Sequence, residues 1–296
     1  MPDLPAPKSL MIKNQPRTAG ASSFEATGAL KVIIQSAHID GADAWYRWRR
    51  PPSPFVSIRV SDTRTATDMQ ADTYDPSWIR QTFFLLVKSP NELVTLKLYD
   101  HHAYRKHRFL GATSFAMDRL RSANGMALDA QLPLLKEKKR KGDLLCSLFY
   151  FPVLSSPENE TGVGIVRLTV HRAEDLLPSE ETSRNSTIKP KAKIRLAWDG
   201  PTIHATPRRK ILEENRSAVW ESQHEFLCFD KCACVVYVDV SDPHLENPAL
   251  GHVSISLPDF IDATTAKRGP WPLSGSASGK LFASAEWRPL NLAAGP

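Results

Sequence analysis

Long apolar runs are missing from this sequence. The longest are short pieces such as Phe83 to Val87, far below the roughly 18 residues that carry a helix across a bilayer. Met1 to Ala26 holds prolines, serines and scattered charges around no apolar stretch, so it does not read as a secretory leader. The expectation is a chain that faces the cytoplasm, with residues 1–27 as a disordered tail. Cysteine is scarce too. Cys146, Cys228, Cys232 and Cys234 are too few for a disulfide framework in 296 residues, and Cys228-x3-Cys232-x-Cys234 lacks a fourth ligand at metal spacing, so free thiols and no metal are expected. Catalytic signatures are lacking as well. The nine histidines are scattered, Gly275 to Gly279 carries Ala277 where a nucleophile elbow needs serine, and there is no phosphate-cradling loop; neither an enzyme nor a cofactor is expected. Helical periodicity is almost absent, with single turns at most in Met117–Ser122 and Leu257–Thr265.

What is present is present twice. Leu30-Lys31-Val32-Ile33-Ile34-Gln35-Ser36-Ala37 returns as Val166-Arg167-Leu168-Thr169-Val170-His171-Arg172-Ala173, both alternating and both closed by alanine. Further echoes follow in the same order: Trp78 with Trp220, Leu93 to Tyr99 with Val235 to Val240, Leu110-Gly111 with Leu250-Gly251, and Gly142 to Phe151 with Gly279 to Trp287. Their offsets lie between 136 and 142 residues, which is a domain length and not the roughly 20 to 50 residues of a solenoid repeat. Two domains of this size can each bury a sufficient core.

Each copy reads as all-β. Runs rich in Val, Ile, Phe, Tyr and Leu are separated by Gly, Pro, Asp and Ser clusters, the pattern of an antiparallel sandwich. Strands are predicted near 29–36, 55–60, 64–69, 81–87, 92–99, 110–116 and 143–151, and again near 164–172, 191–198, 202–207, 223–229, 234–240, 250–257 and 279–287. The domains are expected at 28–153 and 163–293, with polar residues 154–162 as the linker. Charge is unequal between them: 19 Lys and Arg stand against 12 Asp and Glu from residue 28 to 152, and 16 against 16 from 163 to 292. An anionic partner for the first domain follows from that excess, unless it serves solubility alone.

Ser53-Pro54-Phe55-Val56, Asp75-Pro76-Ser77-Trp78, Leu96-Lys97-Leu98-Tyr99-Asp100 and Phe109-Leu110-Gly111 stand in an order that resembles the C2 domain. Phe151-Pro152-Val153-Leu154, the polar linker, Gly164 to His171 and Ala285-Glu286-Trp287-Arg288-Pro289 together look like the central C2 pair of fungal tricalbins, relatives of the extended synaptotagmins. The resemblance implies two eight-stranded antiparallel C2-type β-sandwiches in tandem. It also implies a setting at contacts between the endoplasmic reticulum and the plasma membrane, peripheral to the membrane. The family's lipid-transfer domain and anchor find no counterpart in these residues, so a fragment or a short relative is expected.

C2 domains that bind Ca²⁺ hold it between loops with about five carboxylates, since this hard cation takes oxygen ligands. Counting back eleven, nine and three residues from Gly111, the resemblance places those positions at Asp100, His102 and Arg108; from Gly251 they fall at Val240, Asp242 and Pro248, with Ser53 and Lys189 in loop one. Asp40, Asp43 and Asp175 add one or two carboxylates per domain, still too few, and the cations would repel the ion. No calcium site is expected.

Fixed cations can replace the ion next to lipid phosphate. Loop one of the first domain holds Trp45, Tyr46, Arg47, Trp48, Arg49 and Arg50, and loop three His102, Arg105, Lys106 and Arg108. Ring-bearing and cationic residues of this kind suit a phosphatidylserine or phosphoinositide surface. They equally suit a loop whose aromatics pack back on the sandwich. In the second domain Lys189, Lys191 and Lys193 alternate along one face, and Arg208, Arg209 and Lys210 follow the next strand. This is either a lipid-binding patch or a guarded sheet face. The run Lys136-Glu137-Lys138-Lys139-Arg140-Lys141 is read as a solvated hairpin at the end opposite these loops, or as a contact for a second membrane or acidic partner. Aromatics here are not spread along a strand platform, so nucleic acid is not expected. A protein-interaction module built from calcium-silent domains remains the alternative function.

Overall fold

Alternation of apolar and polar residues becomes alternation of burial. In β5 (Leu93–Asp100) every second side chain, Val94, Leu96, Leu98 and Asp100, is buried, and in β13 (Val235–Ser241) Val236, Val238 and Val240 are. One face of each strand therefore meets a core. The structure, a computed structural model, describes residues 25–40, 50–89, 91–122, 127–154, 162–176, 188–212, 216–245, 248–261, 269–276 and 278–292. Residues 1–24 of the expected tail and most of the expected linker lie outside them; the last three residues of that tail are not disordered, since Ala26 is buried and Thr27 N–H donates to Val87 O at 2.7 Å.

The first module runs β1 (Gly28–Ile39), β2 (Pro54–Val60), β3 (Thr63–Ala66), β4 (Ser77–Val87), β5, β6 (Arg108–Ala116), α1 (Met117–Ser122), β7 (Ala127–Lys136) and β8 (Lys139–Pro152). Its strand order is β3-β2-β5-β6-β7-β8-β1-β4. Because β6 and β7 pair only at Ala112 and Leu135, the two halves face each other across a core that includes Val32, Ile34, Ile58, Leu96, Trp78 and Leu148. The second module repeats this with β9 (Gly164–Glu174), β10 (Lys191–Arg195), β11 (His204–Ala205), β12 (Ala218–Cys228), β13, β14 (Ala249–Ser256), α2 (Leu257–Ile261), β15 (Trp271–Pro272) and β16 (Lys280–Pro289). Its two sheets, β11-β10-β13-β14 and β12-β9-β16-β15, match the halves of the first strand for strand. Even the irregularity between Leu98 and Tyr99 recurs between Val240 and Ser241.

Two strands had no sequence signal. β7 carries Pro133 and Asp129, and β15 is two residues long; both are the weakly patterned kind of strand that pairing, not propensity, creates. The expected 191–198 and 202–207 also shorten to β10 and β11. Among the described residues these are two all-β antiparallel sandwiches in tandem, eight strands each, as expected.

The modules touch through their bases. Beyond β8, Val153 pairs antiparallel with Leu290, Leu154 N–H donates to Pro289 O (2.9 Å) and Asn291 N–H to Pro152 O (2.8 Å). Ala26, Ala29, Ile165 and Leu290 form a fully buried cluster flanked by Leu86, Phe151, Val163 and Leu227, and Phe84 meets Phe229 edge to face at 4.8 Å. Beside them Arg167, 3 % exposed, donates to Glu225 Oε1 at 2.8 Å, and the Glu225 oxygens accept the N–H groups of Glu25 and Ala26 at 2.9 Å each. A buried ion pair thus ties the lead into β1 to the neighbouring module.

Breaking that pair strands a buried carboxylate. Arg167→Met is expected to cost ~3–5 kcal/mol in urea denaturation of the intact chain. A loss below ~1 kcal/mol, the scale of an exposed pair, would contradict the burial. A second consequence concerns pH. His204 and His224 stack at 4.7 Å, and burial pushes His224 down to about 4 and His204 below its usual 6.5. The unfolded chain takes up a proton near 6.5 that folded His224 refuses until about 4, so this stability is complete above 6.5. It is lost as pH falls towards 4, by ~3 kcal/mol for His224. His224→Phe, which keeps the stack, should flatten the denaturation midpoint across that range; an unchanged slope would overturn the assignment.

Candidate functional site

Strand direction decides which turns gather. β1 ends at Ile39, β2 begins at Pro54, β5 ends at Asp100 and β6 begins at Arg108, so residues 40, 50–53, 67–76 and 101–107 share one end. The hairpin between β7 and β8 joins them there. Ile39 pairs with Gly142, Asp40 N–H donates to Lys141 O at 3.0 Å, and Lys136 Nζ donates to Phe109 O at 3.0 Å. This corrects the reading that put Lys136–Lys141 at the opposite end. With β7 unrecognised, the count of chain reversals was short by one, and one reversal inverts the direction of the last strand. Gly142, at φ +134°, permits the approach: a Cβ would stand 1.9 Å from His38 O.

Of the expected loop-one residues, Trp45, Tyr46, Arg47, Trp48 and Arg49 lie outside the described residues. Arg50 is described, its side chain 82 % exposed and paired with Asp72 at 2.6 Å. Loop three is built on rings. Phe55 stacks on Tyr99 at 5.6 Å and meets His107 at 5.0 Å, and His107 packs on His101 at 5.0 Å. His102 N–H donates to His107 Nδ1 at 3.1 Å, which requires that nitrogen unprotonated. Burial, then His101 and His102 nearby, hold His107 below the usual imidazole range. On this support Tyr104, Arg105 and Lys106 stand exposed at the apex.

The one calcium position that the resemblance leaves acidic in the first domain is already occupied from within. Asp100 is buried; its Oδ1 accepts Ser53 N–H at 2.9 Å and its Oδ2 lies 3.1 Å from Arg108 Nη2 and 3.7 Å from His102 Nε2. Arg50, Arg105, Lys106 and Arg108 outnumber Asp72 and Asp100 around the same open hollow. Four cations against two carboxylates leave the hollow net positive. Lys138, Lys139 and Lys141 extend the charge on the hairpin, whose Glu137 and Lys138 take positive φ (51° and 64°) and make a tight two-residue turn. These hairpin lysines are the site residues that sequence reading misplaced.

The second mouth follows the same plan with different residues. Asp242 is buried, its Oδ2 accepting Lys189 N–H at 2.7 Å and its Oδ1 His244 N–H at 3.0 Å. Since Leu98 pairs with Gly111 and Val240 with Gly251, while Asp100 faces Arg108 and Asp242 N–H bonds Pro248 O, Asp242 is the counterpart of Asp100. Counting back from Gly251 therefore slipped by two, because this loop three is two residues shorter; Val240 is a core residue. Asp175 is engaged by Lys280 at 3.2 Å. Arg208, Arg209 and Lys210 leave β11 at this loop end, where Arg209 N–H reaches Pro190 O and Arg208 meets His244. Lys191 and Lys193 lie on the outward face of β10, and burial, Lys193 and Arg208 together lower the Lys191 ammonium. The two basic rows therefore adjoin. Among the described residues no three His, Cys, Asp or Glu side chains could hold a metal ion together.

Comparison with known proteins adds three findings. The C2 domain family matches residues 28–133 and 164–272. Tricalbin-1 of Saccharomyces cerevisiae is 23 % identical over 253 residues, covering 82 % of this chain and 20 % of its own, and an uncharacterized protein of Schizosaccharomyces pombe is 26 % identical over 245 residues, covering 81 % and 19 %. The chain thus spans about one fifth of the length of these curated relatives. Among solved structures, a part of extended synaptotagmin 2 that holds its SMP domain and a C2 pair superposes with a TM-score of 0.70 at 18 % identity, over 90 % of this chain and 58 % of that one; this likeness shows the fold. No helix among the described residues is long and apolar enough to cross a membrane.

The loop-end histidines give a direct check. His38 Nδ1 lies 2.5 Å from Asp75 Oδ1, and that bond with the neighbouring carboxylates raises its pKa above 6.5, opposite to His107. NMR titration is expected to find His38 protonating above and His107 below pH 6.5; coincident midpoints would contradict the loop-three geometry.

Proposed function

The chain belongs to the C2 domain family, and from that premise we propose that it binds anionic phospholipid membranes without calcium, through fixed cations at the loop ends of its domains. The observation that carries this reading is the state of Asp100. A calcium-binding mouth needs free carboxylate oxygens, whereas here one oxygen is bonded to Ser53 N–H and the other to Arg108. The positive charge that a bound ion would bring is covalently built in. Arg105, Lys106, Lys138, Lys139 and Lys141 carry no ion pair among the described residues and stand exposed on neighbouring turns. At about 1 kcal/mol for each basic residue near an anionic leaflet, they supply several kcal/mol, reduced by salt and by the entropy of ordering long side chains. Tyr104, fully exposed at the apex, suits the headgroup layer.

Arg208, Arg209 and Lys210 give the second domain its own cationic end, with Lys189, Lys191 and Lys193 adjoining. Phosphatidylserine and phosphoinositides present the phosphate that arginine grips in pairs of hydrogen bonds. The likeness to tricalbins and extended synaptotagmins supports membrane or lipid binding of the C2 type, and we place the chain as a peripheral component of membrane contact sites on that likeness.

Co-sedimentation with phosphatidylserine or phosphoinositide vesicles tests the reading. Binding is expected to be unchanged by a calcium chelator and to weaken as salt rises. Reversing Arg105, Lys106, Lys138 and Lys139 together with Arg208, Arg209 and Lys210 to glutamate should weaken it at least about tenfold. Chelator-sensitive binding would contradict the account of Asp100. No binding to any anionic vesicle would favour a protein-interaction module instead.

A further inference from the structure

The seam between the modules determines where their cationic ends point. β8 starts beside the first loop end, where Gly142 pairs with Ile39, and runs to the base at Pro152. β16 starts beside the second loop end, where Lys280 pairs with Glu174, and runs to its base at Pro289. Each strand therefore runs from loop end to base. Their continuations pair antiparallel at Val153 and Leu290, with Leu154 N–H on Pro289 O and Asn291 N–H on Pro152 O. Two such strands, paired head to foot at their bases, send the loop ends in opposite directions.

The arrangement is held on several sides. Arg167–Glu225 grips the lead into β1, Phe84 packs on Phe229, Lys231 N–H donates to Gly162 O at 2.8 Å, and the buried cluster around Ile165 and Leu290 fills the middle. Turning one module to bring both loop ends to one plane would expose that cluster and the buried ion pair, which is the costly direction. The far ends, meanwhile, carry like charge: Arg105, Lys106, Lys138 and Lys139 on one, Lys189, Arg208, Arg209 and Lys210 on the other. A single flat leaflet meets only one of them at a time.

We infer that one copy of this protein bridges two anionic bilayers, the loop end of the first domain on one and the loop end of the second on the other. This rests on the membrane-binding reading above and adds the geometry of engagement. The central strands, β1 with 12 residues and β9 with 11, span about 40 and about 36 Å at ~3.3 Å per residue. End to end, the two strands span about 75 Å, which sets the scale of the membrane spacing.

The test uses the whole chain and phosphatidylserine vesicles, with sedimentation reporting binding and dynamic light scattering reporting clustering in the same samples. The unaltered chain is expected to bind and to cluster. Two variants, R105E/K106E/K138E/K139E and R208E/R209E/K210E, should each still sediment at saturating lipid while clustering falls at least about tenfold. Their equimolar mixture should not restore it. Binding by the unaltered chain without clustering, or clustering that survives in either variant, overturns the bridge and leaves membrane binding intact. Clustering restored by the mixture overturns it as well, because two copies would then be sharing the work. No binding by the unaltered chain overturns the membrane reading itself. Vesicle spacing by electron cryomicroscopy well beyond about 75 Å would exclude a single-copy bridge.

Discussion

Strand β1 lies between β4 and β8 and is hydrogen-bonded to both over nearly its whole length. Every other placement in the first module is referred to it. Antiparallel pairing alternates strand direction, so the turn before β8 must fall where β1 ends. That places the cationic hairpin among the loops, and the same rule puts Gly279 and Lys280 beside Glu174 in the second module. The charge pattern is thus a consequence of a reversal count, which one weakly patterned strand, β7, is enough to change.

The two mouths show how a site changes its chemistry without changing its frame. Asp100 and Asp242 occupy the same place, and in both one oxygen accepts the backbone N–H of a residue leading into the second strand of the module, Ser53 or Lys189. Their remaining oxygens differ. Asp100 turns to Arg108, which brings a guanidinium into the mouth; Asp242 turns to the backbone of His244 and keeps the loop short. A carboxylate that bonds backbone donors is a structural brace more than a ligand, since a buried acceptor already satisfied gains little from a further partner.

At the base, the same economy of buried polar groups joins the modules. Arg167 is almost wholly inaccessible, and such a charge is tolerated only when paired and hydrogen-bonded. Glu225 supplies the pairing, and its remaining capacity takes up the N–H groups of Glu25 and Ala26. The sequence echo between Lys31 and Arg167 conceals this difference: one is a partly exposed residue over Phe149, the other the centre of an interface.

Much of the frame was legible in the residues. Period-two alternation, the paired tryptophans and the ordered echoes were enough for a duplicated all-β sandwich, because burial of alternate side chains writes itself into composition along a strand. Met117–Ser122 emerged as the helix expected there, and Leu257–Ile261 as the shorter part of one. Within the site, the residues of loop three and the basic run after β11 could be named beforehand, since charge and ring content are local properties. What the fold alone decided was relation. Which end the Lys136–Lys141 hairpin occupies, that Asp242 and not Val240 matches Asp100, and that the two loop ends face apart all depend on pairings between residues distant in the chain. Strands β7 and β15, short of pattern and made by their neighbours, set those pairings, and no local window of sequence contains them.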